Sequence, residues 1–99
     1  MKFDNKNIDI DVLYKAFTCL ETEDELRAFL HDVCTETELI AMAQRILVAK
    51  MLTEKENYTA IVDKTRASST TISRVSRFLN KEDGAGGYKI VLERLGKDV

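Results

Sequence analysis

Residues 58–79 read YTAIVDKTRASSTTISRVSRFL, and how this stretch folds decides the reading of the whole chain. The pattern predicts a helix, a tight turn and a second helix. Ile61 and Val62 face inward on the first helix, and Ala67 is the small buried residue at the turn. Ser68 or Ser69 caps the second helix by accepting a backbone N–H bond. From there Ile72, Val75 and the pair Phe78–Leu79 recur at three- and four-residue steps, giving one apolar stripe. The other face shows Thr70, Thr71, Ser73, Arg74 and Arg77, short hydroxyls followed by guanidinium forks. Such a helix suits the DNA major groove, with its hydroxyls near base edges and its arginines reaching guanines or phosphates. A helical hairpin that packs in a bundle and binds nothing is the bland alternative. The turn position often filled by Gly falls on Arg66. With φ > 0 an arginine there is strained; otherwise the turn differs.

Charge is segregated in the same sense. The chain of 99 residues holds 15 basic and 17 acidic residues, net −2, so its overall balance does not point to nucleic acid. Residues 58–81 nevertheless set Lys64, Arg66, Arg74, Arg77 and Lys81 against Asp63 alone, a local +4. Residues 1–44 set Lys2, Lys6, Lys15 and Arg27 against ten carboxylates, a local −6. A local basic surface attracts phosphates, and an acidic remainder keeps the rest of the protein off the duplex. A solvated helix face is the competing reading of any charge run.

Length predicts one domain, residues 1–99, with the helix-turn-helix at about 58–81. The hydrophobic fraction of 44% is ordinary for a globular chain. No apolar run approaches the roughly 20 residues that span a bilayer, and MKFDNKNIDI lacks a signal-peptide core. A cytoplasmic protein with no membrane partner is expected. Cys19 and Cys34 fit reduced, buried thiols in that compartment better than a disulfide. His31 and Cys34 lie one helical turn apart, but a single His without a CxxC is poor material for a metal site, and no metal or cofactor is expected.

There is no proline, and helical patterning runs from about residue 8 to near the end. Ile10, Leu13, Phe17 and Leu20 form a seam on a first helix. Thr22 with Glu25 is a capping box for a second, whose inner face carries Leu26, Phe29, Leu30 and Val33. Thr35 with Glu38 opens a longer third helix bearing Leu39, Ala43, Ile46, Leu47 and Met51, which fades over Thr53–Asn57. After the helix-turn-helix, Gly84, Ala85, Gly86 and Gly87 read as a flexible break before a last helix, Tyr88–Leu95. GAGGYK is no P-loop: the spacing is wrong, no Ser/Thr follows the Lys, and a helix precedes it where a strand is needed. His31 has no sequence cue to a nucleophile or orienting acid, so no enzyme activity is expected.

Residues 35–80, TETELIAMAQRILVAKMLTEKENYTAIVDKTRASSTTISRVSRFLN, resemble the core of the Trp repressor superfamily. There, a long capped helix opening with Thr-x-x-Glu leads through an Arg into a helix-turn-helix containing T-I-[ST]-R, here Thr71–Arg74. The whole chain, with its ending GGYKIVLERL, is similar to the YerC/YecD branch of Trp-repressor-like proteins. The resemblance implies an all-α, six-helix subunit. It also implies an intertwined dimer, interlocked through the first three helices and the last, with a helix-turn-helix at each end. The early helices are more apolar than one thin subunit can bury, which agrees.

The family's tryptophan-binding residues carry over only in part. Arg45 and Arg74 match the two arginines that flank the bound indole in Trp repressor. Where that protein has a glycine after the recognition-helix Arg, this chain has Val75, and the ligand-holding serine falls near Phe78. A bound amino acid would lose both space and hydrogen bonds. The site therefore reads as filled, with Arg45 and Arg74 serving packing, ion pairing or phosphate contact.

Taken together, the expectation is a homodimeric regulator of transcription, a repressor by resemblance, binding double-stranded DNA. Its candidate DNA-binding residues are Arg66, Ser68, Ser69, Thr70, Thr71, Ser73, Arg74, Arg77 and Lys81. A helical protein-interaction module without DNA binding is the alternative from another class; an amino-acid-responsive repressor with a small-molecule corepressor is the third.

Overall fold

A computed structural model describes residues 7–96, which form six helices and no strand. These are α1 (Asp11–Cys19), α2 (Glu23–Val33), α3 (Glu36–Thr53), α4 (Tyr58–Thr65), α5 (Ser69–Leu79) and α6 (Gly87–Leu95). The all-α expectation holds, with α4 and α5 as the helical hairpin. The chain divides into two compact units, Met1–Glu36 and Thr37–Val99.

In the first unit, α1 begins at Asp11, whose N–H donates to Asp9 Oδ1 at 3.0 Å, so it starts later than the patterning predicts. Thr22 caps α2 by accepting the Glu25 N–H at 3.1 Å. Glu25 Oε1 in turn accepts the Glu21 N–H at 2.8 Å, reaching one residue further back than a standard capping box. Phe17 meets Phe29 edge-on, ring centroids 5.7 Å apart, the favourable T-shaped geometry. Neither helix contains a buried residue, and the expected burial of the thiols fails: Cys19 is exposed and Cys34 half-buried. Ile10 and Leu20 of the seam are half-buried, while Leu13 and Phe17 are exposed.

The core lies in the second unit. Val48, Ala49, Ile61, Ala67, Ile72 and Val75 are buried together, with Met51, Leu52, Val62, Leu79, Tyr88 and Leu92 packed against them. On α3 the deepest residues are Val48 and Ala49, not the predicted row through Ala43, Ile46 and Leu47. The reason is that α3 is apolar on more than one side: Ile40 and Met42 are exposed on the same helix. Leu92 of α6, partly buried, also packs against this core.

Two helices end on basic residues in the left-handed conformation. Lys55 (φ 62°) follows α3, where the Glu56 N–H donates to Met51 O and the Lys55 N–H to Leu52 O, both at 3.0 Å. Those two bonds are a Schellman closure, which satisfies carbonyls left open by the helix end. Asn57 then caps α4, its Oδ1 accepting the Ala60 N–H at 2.8 Å.

Within the glycine segment, Gly84 is a place of close approach. Gly84 N–H donates to Asn80 O at 2.9 Å, and a Cβ on Gly84 would lie only 1.9 Å from Phe78 O. Gly86 takes φ 84° and leads directly into α6, which starts at Gly87.

Candidate nucleic-acid interface

The turn between α4 and α5 is built on Thr65, the one buried polar residue among those described. Its hydroxyl donates to Ile61 O at 2.7 Å and accepts the Ala67 N–H at 3.2 Å. Its carbonyl accepts Gln44 Nε2 at 2.9 Å, which fastens the turn to α3. Every polar atom of this buried site thus has a partner, as burial demands. Ala67 inserts into the core at the turn, as its small size predicts.

Arg66 occupies the residue after α4 with φ 60° and ψ 18°, so the strained alternative is the one adopted. Its N–H donates to Val62 O at 2.8 Å, the single bond of a left-handed helix stop. The side chain is exposed on the turn itself.

Ser68 is the N-cap of α5, its Oγ accepting the Thr71 N–H at 3.1 Å. The Ser68 hydroxyl also donates to Thr71 Oγ1 at 3.1 Å, leaving Thr71 its own O–H to donate. Ile72 and Val75 are buried and Leu79 half-buried along the inward stripe. The opposite stripe follows the i, i+3, i+4, i+7 spacing of one helix face: Thr70, Ser73, Arg74 and Arg77, all exposed. Ser69 borders it, and so does Ser76, which the sequence reading passed over although it stands three residues beyond Ser73. Thr71 and Phe78, both half-buried, form the other border.

This face differs in its pairing from two other helical cations: Arg27 Nη2 lies 2.6 Å from Glu23, and Lys50 Nζ 2.9 Å from Glu54. Among the described residues no ion pair engages Arg66, Arg74 or Arg77. Arg74 and Arg77 instead each sit over the ring of Phe78, guanidinium carbons 4.8 Å from its centroid. Lys81 is exposed just past α5, but Glu82 and Asp83 follow it at once and cancel much of its field.

Arg45, on α3, is exposed. Val75 is only 1% exposed and belongs to the core. A groove of about 400 Å³ is lined by Thr53, Leu79, Lys89, Leu92 and Glu93, and neither Arg45 nor Arg74 lines it. Among the described residues no group of three or more His, Cys, Asp or Glu side chains could hold a metal ion. Nor is any helix long and apolar enough to cross a membrane.

Comparison with known proteins places this geometry in context. Residues 9–96 match the model of the Trp repressor protein family. The uncharacterised protein YerC of Bacillus subtilis (strain 168) is 39% identical over 87 residues, 88% of this chain and 82% of YerC. A solved TrpR-like protein from Eubacterium eligens is 46% identical, with a TM-score of 0.80 over 89% of each chain. A candidate Trp repressor of Staphylococcus aureus, also solved, is 33% identical, with a TM-score of 0.80 over 95% of each chain.

Proposed function

This chain belongs to the Trp repressor family, and from that premise we propose that it is a homodimeric regulator of transcription, a repressor, that binds duplex DNA through α5. The observation that carries the reading is the outward face Thr70, Ser73, Arg74 and Arg77, set back to back with the buried Ile72 and Val75. A rigid core-anchored helix presents its hydroxyls in the first two turns and its guanidinium groups after them. Short hydroxyls let the helix approach base edges, and arginine forks match both guanine and phosphate. Ser68, Ser69 and Arg66 stand at the head of the same helix, where backbone N–H groups and positive charge favour a phosphate.

The homodimer is supported by apolar surface that each unit leaves open. Ile8 is 60% exposed and Val12 63%, with Leu13, Tyr14, Phe17 and Val33 also exposed in the first unit. In the second, Ile40, Met42, Ile90 and Val91 are exposed. So many exposed large apolar side chains call for a partner, and a two-fold copy supplies matching surface.

No amino-acid corepressor enters this reading. Val75 is buried where a ligand would need room, and Phe78 lies under two arginines. Cytoplasmic action follows from the role.

Alanine variants test the proposal by their pattern. Thr70→Ala, Thr71→Ala or Ser73→Ala should change sequence preference. Arg77→Ala should weaken binding to all duplexes alike and lower the salt slope by about one per lost phosphate contact. Unchanged binding by all four variants would move the function to another face and favour a protein-docking hairpin.

A further inference from the structure

We propose that Phe78 is a positioning residue for DNA binding, holding Arg74 and Arg77 as a prearranged pair that grips the phosphate backbone. The inference rests on the DNA-binding reading above and adds to it a residue that touches no nucleic acid. Arg74, Arg77 and Phe78 stand at i, i+3 and i+4 on α5, a triangle of neighbours on one helix surface. Both guanidinium carbons lie 4.8 Å from the one ring centroid, within the range of cation–ring attraction. The two charges are therefore at most twice that distance apart.

Several features distinguish this arrangement from ordinary surface arginines. No carboxylate lies three or four residues from either arginine, so neither has an acidic partner within helical reach. The pairs Arg27–Glu23 and Lys50–Glu54 show the other solution, in which a neighbouring acid neutralises the cation. An aromatic ring restrains a guanidinium without neutralising it. Attraction to the ring uses the cation's charge and leaves its in-plane N–H groups free to donate in pairs to an oxyanion. Two like charges held around one ring also repel each other, and a bound anion relieves that repulsion. Phe78 itself is half-buried and lies on the border between the core stripe and the outward face. Leu79, next to it, is the residue that packs on the core. The ring thus fixes long side chains before DNA arrives, and less freedom is lost on binding.

The test uses Phe78→Leu, which keeps apolar bulk and removes the ring, in the full chain with unchanged melting as a control. Affinity for duplexes of any sequence should fall about five- to thirtyfold, the worth of two exposed cation–ring contacts. Phe78→Tyr should restore it to within about threefold, since its ring keeps the same negative face. In an Arg74→Ala, Arg77→Ala background the Phe78→Leu change should produce no further loss, whereas a merely structural role would lower affinity in both backgrounds. In the free protein, the side-chain NMR signals of Arg74 and Arg77 should be shifted upfield by the ring and lose that shift in Phe78→Leu. Duplex binding by the wild type with an indifferent Phe78→Leu, or unshifted arginine signals, would overturn this role alone. Failure of the wild type to bind any duplex at low salt would overturn the DNA reading and this role with it.

Discussion

Gln44 on α3 donates its side-chain amide to the carbonyl of Thr65, 21 residues away, at 2.9 Å. This one bond fastens the turn of the hairpin to the long helix beneath it. The Thr65 hydroxyl is engaged with Ile61 and Ala67, so both its side chain and its carbonyl have protein partners. The presentation of α5 therefore depends on a polar contact made from α3.

Replacing Gln44 by Leu should leave the Thr65 carbonyl without its partner and cost about 1–3 kcal/mol of stability. Urea unfolding checks this through a lowered midpoint at unchanged slope. A midpoint equal to that of the wild type would show that the bond holds nothing in place.

Arg66→Gly should separate stability from binding. Glycine relieves the left-handed strain at φ 60°, worth about 1–2 kcal/mol, against the extra freedom it gives the unfolded chain. A net gain of up to about 1 kcal/mol in thermal unfolding is expected, together with weaker, less salt-dependent DNA binding. Loss of stability would mean that the arginine side chain, not the backbone, secures the turn.

Gly84→Ala has the opposite sign. The added Cβ meets the Phe78 carbonyl at 1.9 Å, backbone against backbone, so the end of α5 must move. A loss of about 1–3 kcal/mol, typical of overpacking, should appear as a lower melting temperature. Gly87→Ala, where a Cβ meets nothing within 4 Å, is the control and should be neutral or slightly stabilising.

Assembly is checked by dilution. If the exposed apolar faces of α1, α3 and α6 meet a second copy, the melting temperature rises with protein concentration. Sedimentation as a monomer at micromolar concentration, with concentration-independent melting, would refute the dimer.

On the reading that Val75 and Phe78 fill the corresponding site, free tryptophan at millimolar concentration should leave stability and DNA affinity unchanged. Calorimetry checks the point, and saturable binding would refute the filled site. Val75→Gly should cost about 1 kcal/mol or more through lost helix propensity and core contacts.

Much of this was legible in the sequence because it depends on local patterning. A serine cap at 68 or 69, the buried Ala67 and the stripe Ile72–Val75 follow from turn chemistry and helical period alone, and the structure selects Ser68. Positions decided by tertiary contact were not legible. Val48 and Ala49 are the deepest residues of α3, but a helix apolar on several sides does not reveal which side meets the core. Gly84 reads as freedom in a glycine-rich stretch, and only the nearby Phe78 carbonyl shows that a Cβ is forbidden. The Asn57 cap was hidden in a polar run, although an Asn just before Tyr58 is a recognisable signal. Phe78 was assigned to the apolar stripe, and its two arginines became visible only with side chains in place.

The central claim, that a two-fold pair of α5 helices reads duplex DNA, is tested most directly by selection from a random-sequence duplex pool at low salt. The account predicts an enriched palindrome whose half-sites lie about 10 base pairs apart, one helical turn, with enrichment lost when Ser73 and Arg74 are replaced by Ala. A pool recovered without enrichment, or no duplex retained at all, would contradict it.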